Sequence, residues 1–237
     1  MVTILPLELK GARVTRRGKT LLGPVDLTIA GQGCTIIMGP NGSGKTTLLR
    51  MMHGLERPSA GQVGWALPEP ATRARQAFVF QAPVMLRRNV RDNLAYPLLV
   101  QGMAKAKARD LAEVWAEKVG LQDLRHQNAL SLSGGEKQKL ALARALIRDP
   151  EIVFLDEPCA SLDGTATREI EAILQAAIAG GTRIVMATHQ IGQARRLAGE
   201  VVFLARGRIV EHTDPQSFFT APQTVQARAF LDGDIVE

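Results

Sequence analysis

Gly39-Pro-Asn-Gly-Ser-Gly-Lys-Thr46 is the stretch on which the fold turns. It has the form G-x-x-x-x-G-K-[ST], and its setting matters as much as its letters. Ahead of it, Gly33-Cys-Thr-Ile-Ile-Met38 is a compact, β-branched apolar run that predicts a buried strand. Behind it, Lys45 to His53 is expected to be a helix, stopped by Gly54 and Pro58. Gly39, Gly42 and Gly44 let the backbone bend so that successive N–H groups turn inward on phosphate oxygens. The helix aims the positive end of its dipole at the same anion. Pro40, Asn41, Ser43 and Thr47 complete the loop and its exit into the helix. Lys45 is suited to reach β- and γ-phosphates, and the Thr46 hydroxyl to bind Mg2+.

Working outward, the run Ile152-Val-Phe-Leu155 leads directly into Asp156-Glu157. Two carboxylates at the end of a buried strand are costly unless something uses them. Beside a phosphate loop, Asp156 is expected to hold Mg2+, directly or through water. Glu157 is expected to polarise the attacking water as a general base. Further strands are expected at Ala77-Phe-Val-Phe80, Ile184-Val-Met-Ala187, Val201-Val-Phe-Leu204 and Arg208-Ile-Val-Glu211, the last two forming a hairpin about Gly207. A helix over Ala166 to Ala179 makes a strand-helix-strand unit of the parallel-sheet kind. Residues 5 to 30 read as short antiparallel strands. From about Arg88 to Leu130 the texture turns helical, rich in Ala, Lys, Arg and Glu. The tail after Asp214 reads as one short helix and a frayed end.

The 237 residues fit one large domain, or one carrying a smaller subdomain. No stretch approaches the roughly 18 consecutive apolar residues needed to span a bilayer; the best, Leu94 to Val100, contains Pro97. The first ten residues carry no signal-peptide pattern. The two cysteines, Cys34 and Cys159, lie far apart and suit a reducing compartment better than a disulfide or zinc site. The net charge of +6 is spread over scattered basic residues, and aromatic residues make up only 4%. A base-stacking surface is therefore poorly supplied, and no direct nucleic-acid partner is expected.

A phosphate loop and an acidic strand would also suit a nucleotide kinase, a GTPase or a helicase. Leu132-Ser-Gly-Gly-Glu136 decides between them. It resembles the signature sequence of ATP-binding cassette (ABC) ATPases. Gly134 and Gly135 expose backbone N–H groups, Ser133 offers a hydroxyl, and a helix is expected to begin at about Glu136. Ser133 and Glu136 also fit a capping box, and both readings can hold. Other positions resemble the family one by one. Gln81 looks like the glutamine that touches Mg2+ or the attacking water. Ser161-Leu-Asp163 looks like the loop that crosses to a partner subunit, and His189 like the switch histidine at the γ-phosphate. The family usually places an aromatic residue on adenine near the end of the first strand. Val14-Thr-Arg-Arg-Gly18 has none. Arg17 or Arg16 takes that position, where a guanidinium can stack on a purine, and ATP against GTP selectivity stays open.

The resemblance implies an α/β fold of the P-loop NTPase, ABC ATPase type: a mixed sheet core, an antiparallel β subdomain and an inserted α-helical subdomain. The whole chain is then one ATPase domain, with residues 1–87 and 136–237 as core and 88–135 as the helical signature subdomain. ATP and Mg2+ are the implied ligands. The implied assembly is a head-to-tail homodimer, with each ATP between the phosphate loop of one copy and Ser133–Glu136 of the other. An integral membrane permease would dock on Ala82 to Arg91 and the helical subdomain, at the cytoplasmic face of the cell membrane. A periplasmic or lipid-anchored substrate-binding protein would deliver cargo, with an oxyanion such as tungstate, molybdate or phosphate as the expected kind. Two other classes stay open. One is an ATPase driving lipoprotein release or cell division; the other is a soluble DNA- or RNA-linked ATPase.

Overall fold

The fold is described over residues 2–234 of a computed structural model. The chain begins with two long strands, β1 (Leu7–Arg16) and β2 (Lys19–Ile29), paired antiparallel with Leu7 opposite Ile29 and Arg16 opposite Lys19. Leu7, Leu9, Ala12 and Val14 of β1 are buried while Lys10 and Arg13 are exposed. That alternation is the pleat of a strand with one face on the core, shifted at Gly11 by a register irregularity. Next come β3 (Cys34–Met38), buried at every residue, and helix α1 (Lys45–His53).

A third strand of the first sheet, β4 (Ala60–Trp65), pairs with the other edge of β1. The sequence of β4 gives no expectation of a strand, since it holds two glycines and one β-branched residue. Pairing decides it. A Cβ on Gly61 would lie 2.2 Å from the Gly11 carbonyl oxygen, so only glycine admits this close approach of two backbones.

Helix α2 (Glu69–Ala74) leads into β5 (Gln76–Val79), and α3 (Val90–Val100) and α4 (Lys105–Lys118) pack on each other. Helix α5 (Gly134–Leu146) follows, then β6 (Ile152–Asp156), α6 (Gly164–Ala179), β7 (Arg183–Ala187) and α7 (Ile191–Leu197). The hairpin β8 (Glu200–Ala205) and β9 (Arg208–Thr213) and helices α8 (Pro215–Thr220) and α9 (Val225–Asp232) complete the described chain. The second sheet has six strands in the order β5-β6-β7-β3-β8-β9, all parallel except β9.

Further outcomes differ from the sequence reading. Helix α5 starts at Gly134 rather than Glu136, because Ser133 is its N-cap. The expected subdomain boundary between 135 and 136 therefore falls inside a continuous helix. The tail holds two helices, α8 and α9, not one; residues 235–237, where a frayed end was expected, lie outside the described residues. Helix α7, just beyond His189, has too short a pattern to announce itself.

Successive residues of the central strands serve opposite faces. Ile36, Met38, Val153 and Leu155 pack with Leu140 of α5 and Ile170 of α6. Ile37, Ile152 and Phe154 pack with Leu48 and Leu49 of α1 and with Leu7 and Leu9 of β1. The six-stranded sheet is thus covered on both faces, as parallel strands require. Its C-terminal strand ends hold the phosphate loop after β3, Asp156 on β6 and His189 beyond β7. That edge is where open α/β sheets bind their ligands.

Candidate functional site

The phosphate loop bends between β3 and α1 through glycines in conformations other residues avoid. Gly39 has φ 145, and a Cβ on it would lie 2.1 Å from the Leu204 carbonyl oxygen. Gly42 and Gly44 have φ of 79 and 105. Among the described residues, the backbone N–H groups of Gly42, Gly44, Lys45, Thr46 and Thr47 have no protein acceptor. The last three are the free donors of a helix N-terminus. Unpaired amides gathered at the positive end of α1 make an anion site, and they fit a polyphosphate.

Lys45 is buried, and its ammonium donates to the carbonyl oxygens of Gly39 and Pro40 at 2.9 and 3.1 Å. Burial lowers its pKa, against the pull of Glu157, whose Oε1 lies 3.9 Å away, and of Asp156. The Thr46 hydroxyl donates to Asp156 Oδ1 at 2.9 Å. Desolvation pushes the Asp156 carboxyl up, against that hydrogen bond. A buried carboxylate beside a hydroxyl gains from an arriving cation, so this pair fits Mg2+, which typically takes one or two carboxylates and completes its shell on phosphate oxygens and water.

Glu157 has φ 47, left-handed for a non-glycine residue, and its N–H donates to the Ala187 carbonyl at 3.0 Å. Its carboxylate lies 3.1 Å from Nδ1 of the half-exposed His189. Strained backbone of this kind concentrates at functional sites, where surrounding structure holds it in place.

Asn41, Gly42, Gly44, Lys45, Thr46, Thr47, Gln81, Glu157 and His189 line one cleft of about 600 Å³. Chain segments more than a hundred residues apart thus meet on one polar cavity. Leu21 and Ala160 join them, and neither carries a sequence signal. Arg17 occupies the tip of the β1–β2 turn at φ 49 and is not among the residues that line this cleft, while Arg16 is ion-paired with Glu56. From the strand beyond the turn, Leu21 reaches the cleft.

The signature residues lie elsewhere. Ser133 Oγ accepts from the Glu136 N–H at 3.3 Å, and Glu136 Oε2 accepts from the Ser133 N–H at 2.7 Å, a complete capping box. Ser133, Gly134, Gly135 and Glu136 line a second cleft of about 420 Å³ with Lys139 and Asp163. Asp163 caps α6, accepting from the N–H groups of Thr165 and Ala166 at 2.9 and 2.8 Å. No phosphate-loop residue lines the second cleft and no signature residue lines the first; among the described residues Ser161 alone borders both.

Sheet topology, phosphate loop and acidic strand end define a P-loop NTPase. The ABC transporter family model matches residues 22–160. The glutamate transport ATP-binding protein GluA of Corynebacterium efficiens is 36% identical over 220 residues, covering 89% of this chain and 91% of GluA. The phosphate import ATP-binding protein PstB 2 of Natronomonas pharaonis is 35% identical over 237 residues, covering 92% and 84%. Among solved structures, cbiO1 from Clostridium perfringens, part of the ABC transporter complex cbiONQ, has the same fold, with a TM-score of 0.82 at 24% identity over 95% of this chain and 94% of that one. The chain belongs to the ABC transporter family as an ATP-binding subunit, and it is an ATPase. No helix among the described residues is long and apolar enough to cross a membrane.

Proposed function

We propose that this chain powers an importer by closing and opening with a second copy of itself around ATP. The observation that carries the reading is the separation of the two phosphate-reading clefts. Within one chain they cannot enclose one nucleotide, whereas a two-fold, head-to-tail pair brings the phosphate loop of each copy against Ser133–Glu136 of the other. Closing on the second copy would also give the free signature amides an anion to meet.

In this reading Lys45 leaves its two carbonyl partners for the β- and γ-phosphates, with Gly39–Thr47 as their cradle. Thr46, Asp156 and Gln81 would hold Mg2+, which supplies positive charge to the polyphosphate. Glu157 takes a proton from the attacking water, and His189, already within reach of Glu157, contacts the γ-phosphate end. The base is held by the β1–β2 side of the cleft, at Leu21.

A permease would dock in a cleft of about 620 Å³ between β5 and helices α3 and α5. Phe80, Tyr96 and Val100 on its walls are exposed, an unusual cost for large apolar side chains with nothing to cover them. Its cytoplasmic-face location and a substrate-binding protein on the far side follow from that partner. The names of the relatives favour import over the other membrane-coupled roles. The relatives do not single out the expected oxyanion cargo, since near-equal similarity extends to proteins named for glutamate and for phosphate. A subunit that never touches cargo carries little record of it.

Glu157→Gln tests the reading. The variant should bind Mg·ATP, hydrolyse it about 10²- to 10⁴-fold more slowly than the parent, and run as an ATP-dependent dimer on size exclusion. Near-normal turnover in the folded variant removes the general base. Slow turnover with a monomer at every ATP concentration removes the head-to-tail pair.

A further inference from the structure

Gln190 stands next to His189 at the N-cap of α7, yet its side chain makes no capping bond. An N-cap side chain ordinarily accepts from the first free N–H groups of its helix. The Gln190 amide nitrogen instead crosses to the carbonyl oxygen of Cys159, 3.2 Å away. That carbonyl also accepts from the Leu162 N–H at 3.3 Å, which closes the turn 159–162. The Gln190 backbone is itself anchored, its N–H donating to Thr188 Oγ1 at 3.1 Å. The Thr188 N–H in turn donates to the Ile37 carbonyl of β3 at 3.1 Å.

The turn so held carries Ser161 at φ 63, a left-handed backbone that a non-glycine residue keeps only where its surroundings enforce it. Among the described residues Ser161 is also the single one bordering both the phosphate-loop cleft and the signature cleft. Two other ties join this segment to the end of β7: Glu157 N–H to Ala187 carbonyl, and the Glu157 carboxylate to His189. Both act at Glu157, upstream of the turn. Gln190 reaches the turn itself.

We infer that Gln190 is a positioning residue that clamps the Ser161 turn to the strand end bearing His189, so that the rim shared by the two clefts keeps a fixed place relative to Glu157. The inference rests on reading the phosphate-loop cleft as the ATP site. Gln190 touches no reacting atom, so its effect falls on turnover and not on ATP affinity.

The test compares the purified full chain with Gln190→Met, which keeps the length and removes the donor, and Gln190→Lys, which restores a donor. Steady-state ATPase rates against ATP concentration and urea unfolding midpoints are measured for all three. Gln190→Met should lower kcat about fivefold, with KM within about twofold, and the unfolding midpoint should fall only slightly, as loss of one neutral hydrogen bond allows. Gln190→Lys should recover most of the rate. An unchanged kcat in Gln190→Met overturns the inference, as does a rise in KM alone, a loss of kcat accompanied by a large fall in the unfolding midpoint, or a Lys variant no better than Met. If the parent chain does not hydrolyse ATP, the proposed function falls and this inference with it. Parent turnover beside an unaffected Gln190→Met removes Gln190 only.

Discussion

At the scale of the residue, the site is a set of charges held by partners within the protein. Lys45 spends its hydrogen bonds on the Gly39 and Pro40 carbonyls, and Glu157 faces His189 across 3.1 Å. A polyphosphate offers Lys45 stronger, charge-assisted partners than neutral carbonyls. The motifs pointed to Lys45, Thr46, Asp156 and Glu157 because each fixes the residue type the chemistry needs, and these four lie together at one strand edge. The expectation for Arg17 rested instead on what was missing from the strand. Arg17 stands on the tip of a turn away from the cleft lining, so Arg17→Ala should change ATP affinity by less than about twofold, as exposed substitutions away from a site generally do. Nucleotide titration checks this, and a tenfold loss would return the arginine to the base.

At the scale of the element, the loop after β5 depends on a residue that no motif marks. Asn93 of α3 is fully buried. Its Oδ1 accepts from the Leu86 N–H at 3.0 Å and from Arg144 of α5 at 3.2 Å, and its amide nitrogen faces the carbonyls of Leu86, Arg88 and Asn89. One side chain therefore ties the segment downstream of Gln81 to two helices of the proposed docking cleft. Asn93→Leu keeps the approximate size and strands these backbone groups, at a cost of about 1–3 kcal/mol. Urea unfolding should show that loss. A variant as stable as the parent would mean that the loop finds other partners. In the sequence Asn93 is an unremarkable polar residue within a helical stretch; its importance exists only once the loop folds back over α3.

At the scale of the whole molecule, the two edges of the six-stranded sheet do different work. The C-terminal edge gathers the phosphate-loop cleft. The other edge is tied by Arg183, Glu200, Thr35 and His212, which link β7, β8, β3 and β9. Burial alone would raise the Glu200 carboxyl, but hydrogen bonds from His212 and Thr35 and the Arg183 charge outweigh it and bring its pKa down from 4.5 to about 2. A carboxylate with a depressed folded pKa contributes stability above its unfolded pKa and loses it as pH falls through the folded value. The contribution should therefore be complete above about pH 5 and fade towards pH 2, on the order of 3 kcal/mol in all. Chemical denaturation of parent and Glu200→Gln at pH 6 and pH 3 tests this. The gap between them should narrow at the lower pH, and a gap independent of pH would show that the carboxylate charge does not matter there.

What the sequence determined by itself was local and periodic. A glycine loop between an apolar run and a helix, an acidic pair at a strand end and Leu132–Glu136 were enough for the family, because each demands particular residue types at fixed spacing. The two-sided burial of β3, β6 and β7 was legible for the same reason: unbroken apolar runs suit strands covered on both faces. Strand β4 was not legible, since its pairing depends on the free edge of β1 and on Gly61 meeting Gly11. Nor was the presence of Leu21 in the cleft, which depends on where a turn leaves the following strand. That the phosphate loop and Leu132–Glu136 serve separate clefts was implied by the family resemblance and not by spacing; that Ser161 lies on the rim of both was decided only by the tertiary structure. Spacing along a chain records which groups are available; the packing of α5 and α6 against the sheet decides which of them can meet.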